Sequence, residues 1–312
     1  MAYLPVLLGA LAAFSWGTSD YLSRSSSQKV GHYRTTVYMH VFSTATLILL
    51  LPLLRPNFGI SFELVLTLVA VSIANFFAFI FLYRGFHRGV VSVVAPIAYS
   101  YPIITTIFAV IFLGVMLSGL RTLALAAVIL GVLLLSTRFS ELGRYLRGEG
   151  LVKVMPGVDS AVVAAVSFGS VYVVLGFVTP LVGYVLPVLF LRGLGSVFGF
   201  TFAPLLKQDV RPRRDIMTRT ISVMGILETF GLLSFNLGIS FGSGSLPVVT
   251  ALSGMGGAFA TTYAMTFLRE KLEPNQLVGI LLSIAGVFAP GWPRSPKQRR
   301  LVALARFSRC LE

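Results

Sequence analysis

Cysteine is almost missing from this chain. Its one thiol, Cys310, lies near the C-terminal end, so no intrachain disulfide and no cysteine metal site can form. Histidine is nearly as scarce: His32, His40 and His87 offer neither an HExxH motif nor any other two-histidine metal spacing, which argues against an intramembrane metalloprotease. No GxxxxGK(S/T) phosphate loop is present, so direct ATP hydrolysis has no support. A GxSxG serine elbow is also missing, and Gly242-Ser243-Gly244-Ser245 reads as a loop ahead of an apolar run. These absences leave no cofactor, metal or enzymatic activity to expect. Charge is scarce too, at 12% of residues, where soluble domains carry about a quarter.

Apolar residues fill that space. They make up 56% of the chain, and the mean hydropathy is +0.87. Runs of about 20 apolar residues are long enough to cross a bilayer as helices. The short alternating segments of a β-barrel are not found. The runs fall at about 4–22, 35–54, 63–83, 91–112, 120–136, 158–178, 185–205, 220–240, 245–267 and 275–290. The expected fold is therefore all-α and embedded in the membrane, with ten spans. The formal charge of +14 does not point to nucleic acid, because nearly all Lys and Arg sit between the runs, where they act as topology signals. The N-terminus lacks a basic stretch ahead of its first run, so a cleaved signal peptide is not expected.

The chain also repeats itself. AAFSWGTS at Ala12–Ser19 returns as AAVSFGSV at Ala164–Val171. LYRGFHRGVVSVVAP at Leu82–Pro96 returns in outline as FNLGISFGSGSLPVV at Phe235–Val249, keeping Gly85/Gly238 and Gly89/Gly242. FLGVMLS at Phe112–Ser118 returns as FLREKLE at Phe267–Glu273, and Ile129–Val132 returns as Ile284–Val287. The offset drifts from 152 to 155, so only small insertions separate the copies. A unit of five spans ends on the face opposite its start, which turns the second copy upside down. Two inverted five-helix repeats, 1–136 and 158–290, are thus expected. A polar linker (137–157, TRFSELGRYLRGEGLVKVMPG) joins them, and a basic tail (291–312) with a short amphipathic stretch follows. Such repeats are the usual architecture of secondary transporters, with the substrate held where they meet.

Loop charges and tail charges vote differently on orientation. The odd-numbered connections hold Arg24, Lys29, Arg34, Arg84, Arg88, Lys207, Arg211, Arg269 and Lys271 among others, whereas the even ones hold only Arg55 and Arg121. By the positive-inside rule this places both termini outside; the tail, with Arg294, Lys297, Arg299, Arg300, Arg306 and Arg309, pulls the other way.

AAFSWG in the first span, the GxxxGxVSxxAP lead-in to the fourth, and the FLxxxL that closes it in each half resemble the EamA family of the drug/metabolite transporter superfamily. The resemblance covers roughly residues 4–290. It implies a ten-span permease, commonly with cytoplasmic termini, that moves amino acids, other metabolites or drugs. The glutamate that such families show after the fourth span of each half is present here as Glu270, while the first half has Val115. A mid-span proline is present as Pro102, against the glycine-rich Ser253–Gly257 in the second half.

A strongly polar side chain inside a span costs about 2.5–3.5 kcal/mol on insertion scales, so each one is a functional candidate. Repeat superposition pairs Asn75 with Glu228, His40 with Arg192 and Tyr83 with Asn236. Glu228 reads as a proton-coupling or cation-contacting carboxyl, or as a protonated group bonded to a neighbouring helix. Arg192 reads as a fork for an anionic substrate group, as an ion-pair partner of Glu228, or as a snorkelling side chain. His40 fits an interhelical hydrogen bond or a proton relay, and Asn75 a helix-packing bond or a substrate contact. Tyr99 and Tyr101 lie within the fourth span, which Pro96 and Pro102 interrupt, where freed carbonyls need protein or a wet cavity. Trp16 could line the same space or only pack. Asp20 reads as a residue at the end of its span facing interfacial water, and Asp159 as a helix cap.

These readings converge on a carrier in the plasma membrane. It would move a small metabolite such as an amino acid, or a drug-like compound, by alternating access, with protons as the candidate coupling ion. Its cavity would be walled by the first, third, fourth, sixth, eighth and ninth spans. A channel, a structural or sensory membrane protein, and an intramembrane enzyme are the competing classes.

Overall fold

A computed structural model describes residues 4–113, 155–212, 217–241 and 245–288, with scattered positions between 119 and 134. Most of the expected fifth span, most of the linker, Val115 and the basic tail lie outside the described residues. The described chain is helical throughout, with no strand among the described residues. The helices are α1 (Leu4–Val30), α2 (His32–Leu54), α3 (Phe62–Arg88), α4 (Val91–Ala98), α5 (Tyr101–Leu113), α6 (Val158–Val182), α7 (Val185–Leu205), α8 (Ser222–Ser240), α9 (Leu246–Ser253), α10 (Gly256–Phe267) and α11 (Pro274–Phe288). A short π turn, Met217–Ile221, leads into α8. Five segments are long and apolar enough to span a membrane: α2, α3, α6, α7, and α8 with the end of its π turn.

Two helices outrun their apolar stretches. The first span was expected to end near residue 22, yet α1 continues to Val30. Its last turns are rich in serine, which lowers hydropathy without stopping the helix, because the hydroxyls bond back to the preceding turn: Ser23 to the Asp20 carbonyl at 2.7 Å and Ser26 to that of Leu22 at 3.3 Å. Asp20 therefore lies inside the helix, 1% exposed, and the expected interfacial position is corrected. The third helix likewise runs through Arg84 to Arg88, with His87 and Arg88 in its last turn, where the helix dipole favours cations. Arg24 donates to the Phe86 and Gly89 carbonyls at that same end.

The expected fourth and ninth spans are each broken in two. A turn at Tyr99-Ser100 separates α4 from α5, and one at Gly254-Met255 separates α9 from α10. A serine hydroxyl takes up a carbonyl at each break: Ser100 bonds Ile97 at 2.6 Å, and Ser253 bonds Thr250 at 3.0 Å. Pro102 lacks the N–H that would have continued the ladder across the first break.

Packing between the halves is reciprocal. α1 lies on α8 as α6 lies on α3; α2 lies on α8 as α7 lies on α3; α1 meets α9 and α10 as α6 meets α4 and α5. The repeated glycines sit at these crossings. A Cβ on Gly17 would stand 2.6 Å from the Gly256 carbonyl of α10, and one on its counterpart Gly169 would stand 2.6 Å from Cβ of Ile104 on α5. In the same way Gly85 faces Val94 and Gly238 faces Val249. The small residue that made the repeat visible is thus what lets the two backbones approach.

Contacts between the helix ends sort them into two faces. His87 bonds the Ser27 carbonyl at 2.7 Å, Arg88 pairs with Asp159 at 3.1 Å, Arg34 pairs with Asp209, and Glu270 bonds the start of α4. One face therefore gathers the ends of α1, α3, α7 and α10 with the starts of α2, α4 and α6. At the other, the α2–α3 connection adjoins the α6–α7 connection around a cleft of about 660 Å3. Since α1 ends where α6 begins, these two helices run in opposite directions. The outer surface is apolar, with Leu49 81% and Leu53 80% exposed, as lipid-facing helices require.

Candidate functional site

Between the halves lies a narrow cavity of about 20 Å3, lined by Trp16, Asp20, Phe79, Leu82, Ala98, Tyr99, Tyr101, Phe168, Tyr172 and Glu228; that is room for about one water molecule, so the space is nearly closed in this conformation. These residues come from α1, α3, the α4–α5 break, α6 and α8, five of the six spans expected to form the wall. The expected ninth span stands just behind. Tyr101 shares a 2.6 Å hydroxyl bond with Ser253 of α9, and the Tyr99 ring lies flat enough on α10 that a Cβ at Gly256 would come within 2.3 Å of it.

Aromatic rings dominate the lining. Trp16 and Phe168, repeat counterparts, both stack on Tyr172, at 5.7 and 5.9 Å between centroids. Tyr101 meets Tyr172 edge-on at 4.8 Å, and Phe79 meets Phe168 the same way at 5.1 Å. Such offset and edge contacts are the favoured ring geometries, so the walls are held rigidly. The Trp16 Nε1 atom has no hydrogen-bond partner among the described residues.

Arg192 and Glu228 are each 1% exposed and paired at 2.9 Å. The same guanidinium reaches the Glu228 main-chain carbonyl at 3.3 Å and lies over the Phe79 ring, 4.9 Å from its centroid. Of the readings open for Arg192, the structure thus takes the ion pair. Glu228 lines the cavity while Arg192 stands behind it. His40 shares their surroundings: its Nδ1 donates to the Thr36 carbonyl at 2.9 Å, its ring meets Phe79 edge-on at 5.3 Å, and Gly195 is the residue whose lack of a Cβ admits it. Its Nε2 has no donor facing it among the described residues.

The remaining candidates lie outside the lining. Asn75 and Tyr83, both buried, fall one turn either side of Phe79 on α3, with Asn75 Oδ1 and the Tyr83 hydroxyl unpartnered among the described residues. Asn236 is an interhelical joint: its amide accepts from Thr179 at 2.8 Å and donates to the Leu232 carbonyl at 3.0 Å. Asp159 is not a side-chain cap, since Gly157 holds that position; it sits in the first turn of α6 and meets Arg88.

Asp20 is what sequence reasoning undervalued. It lines the cavity, is 1% exposed, and has the Tyr99 hydroxyl beside its carboxylate, with no cation paired to it among the described residues. The signal was available, because the offset of 152 that pairs Trp16 with Phe168 also pairs Asp20 with Tyr172, and all four residues face the cavity. Among the described residues no cluster of His, Cys, Asp and Glu could hold a metal ion.

The sequence pattern of the EamA-like transporter family matches residues 4–137 and, a second time, residues 155–289. The chain belongs to the EamA-like transporter family. It is accordingly a multi-pass membrane protein of a family that transports small molecules, and the family is one of transporters rather than enzymes. Both EamA matches contain the reciprocal helices described above. A comparison with curated proteins returns no match. Among solved structures, one described only as the crystal structure of a protein is similar, with a TM-score of 0.61 at 16% identity, over 95% of this chain and 98% of that one; at that identity the likeness concerns the fold alone.

Proposed function

We propose that this EamA protein is a secondary carrier of the plasma membrane that exposes its central cavity to one face and then the other by rocking two inverted five-helix repeats, 1–136 and 158–290. In this reading there are ten spans; the segment 137–157 is a linker and 291–312 a basic tail outside the moving parts. The observation that carries the proposal is the position of the cavity. Its lining comes from both halves, and the helices around it pack reciprocally across the same junction, so a rotation of one half against the other opens it without unpacking either.

The substrate is a small metabolite, such as an amino acid, or a drug-like compound. Glu228 and Arg192 supply the charged side of the site. If Glu228 takes up a proton, it releases the Arg192 fork from its ion pair, and the fork becomes free to hold an anionic group; this is the route by which protons would couple to transport. His40 and Tyr83 support the pair, Asn236 joins α6 to α8, which must move together, and Asn75 supplies a buried polar group on α3. Tyr99, Tyr101 and Trp16 form the wall against which the substrate packs.

Flux into proteoliposomes tests the carrier reading. Uptake that saturates with solute and is accelerated by solute on the opposite side is expected; non-saturating conductance would assign the protein to the channels.

A further inference from the structure

Three ionisable groups surround or back the cavity, one base against two acids. Arg192 is already matched by Glu228 at 2.9 Å. Asp20 remains, 1% exposed, with the Tyr99 hydroxyl beside it and no cation paired to it among the described residues, in a space walled by aromatic rings. An isolated buried carboxylate is expensive, and the expense is relieved by a cation placed against it. The faces of Trp16, Tyr99, Tyr101 and Tyr172 attract the same kind of guest, since aromatic cages bind quaternary and other organic ammonium groups through the ring quadrupole.

We infer that the cavity, once movement of the halves has widened it, binds an organic cation, an ammonium group on an apolar or aromatic body, with Asp20 against the charge and the aromatic walls around it. This deepens the carrier reading above by naming a substrate class for the same cavity. The repeat explains why there is one such carboxylate and not two. Tyr172 occupies the counterpart position of Asp20 and contributes a ring, so one copy supplies charge and the other supplies surface. A metal ion does not fit the site equally well, because the other groups around Asp20 are rings and the second carboxylate is engaged by Arg192.

The test is calorimetric titration of the purified full-length protein with benzyltrimethylammonium, with N-benzylacetamide as an uncharged analogue of similar size, and with phenylacetate. The cation is expected to bind about tenfold or more tighter than the amide, with phenylacetate weakest. Asp20→Asn should remove that preference, with the cation losing affinity and the amide not. Equal binding of cation and amide, as a permanently protonated Asp20 would give, overturns the assignment, and so does an Asp20→Asn variant that keeps the preference. The wild-type ranking decides the matter even where Asp20→Asn does not fold. Saturable counterflow of another solute, with no cation binding, sinks the cation site and leaves the carrier reading intact. Cation binding without saturable flux does the reverse.

Discussion

Thr44 and Ser196, each other's counterparts 152 positions apart, share a 3.1 Å hydroxyl bond between α2 and α7. A residue can touch its own counterpart only where the axis relating the copies passes through, so this bond marks a point on that axis. Tyr101 and Ser253 join the halves at the cavity wall, at 2.6 Å, without being counterparts: Tyr101 opens α5, and Gly256 opens α10.

Removing one partner of the Tyr101–Ser253 bond leaves the other buried and unsatisfied. Ser253→Ala is expected to cost about 1–3 kcal/mol of stability. The double change Tyr101→Phe with Ser253→Ala should cost less than the single one, because no orphaned hydroxyl remains. Unfolding of the purified protein, read as a double-mutant cycle, measures the coupling, and additive losses would show that the bond contributes nothing.

Breaking the Arg192–Glu228 pair strands a charge in the interior. Arg192→Ala is expected to destabilise by about 3–5 kcal/mol, whereas Arg192→Met combined with Glu228→Leu, which keeps the volume, should be near neutral. Melting temperatures of the three proteins give the comparison. A double variant as unstable as the single one would mean that packing, and not the ion pair, holds α7 against α8.

Glu270, just beyond α10, is bonded to the start of α4 in the other half. Its carboxylate accepts from the Val91 and Ser92 backbone N–H groups, at 3.1 and 2.8 Å, and from the Ser92 hydroxyl at 2.6 Å, at the start of α4. A carboxylate at a helix N-terminus contributes about 1 kcal/mol, so Glu270→Ala should raise the population open on that face about fivefold. The readout is the rate at which a polar maleimide labels Ala98→Cys in the cavity, in a background with Cys310→Ser. An unchanged rate would mean the clasp does not control opening.

The glycine crossings differ in what a methyl group would meet. Gly17→Ala and Gly169→Ala should each cost about 1–3 kcal/mol through overpacking. The former is expected to be worse, because the nearest obstacle is a main-chain carbonyl. Gly193, with open space around its Cβ position, is the contrast: Gly193→Ala should gain up to about 1 kcal/mol from helix propensity. Thermal unfolding of the three variants checks the order.

The helices were largely legible because lipid imposes a simple rule, apolar runs of sufficient length. The expected run 185–205 coincides with α7, Val185–Leu205. The rule failed where polar residues satisfy themselves locally, as the serines of α1 do, and that error moved Asp20 to the interface. The breaks at Tyr99-Ser100 and Gly254-Met255 were only half visible. Pro102 announced the first, but at the second the glycines admit the Tyr99 ring from the other half, a long-range fit that no local pattern encodes. Which polar residues meet was the least readable feature, because polarity within a span and the pairing with Tyr83 were all that made Asn236 a candidate, and only the three-dimensional arrangement gave it Thr179 as a partner.

The counterpart positions in and behind the cavity carry unlike chemistry: Asp20 against Tyr172, His40 against Arg192, Asn75 against Glu228. In a carrier whose two copies were identical, the conformations open to either side would be mirror equivalents of equal energy. Here the swap exchanges a carboxylate for a phenol and an imidazole for a guanidinium. In the carrier proposed above, the resting protein would therefore be biased toward one side before any gradient acts, and the direction of that bias would be written into three pairs of side chains.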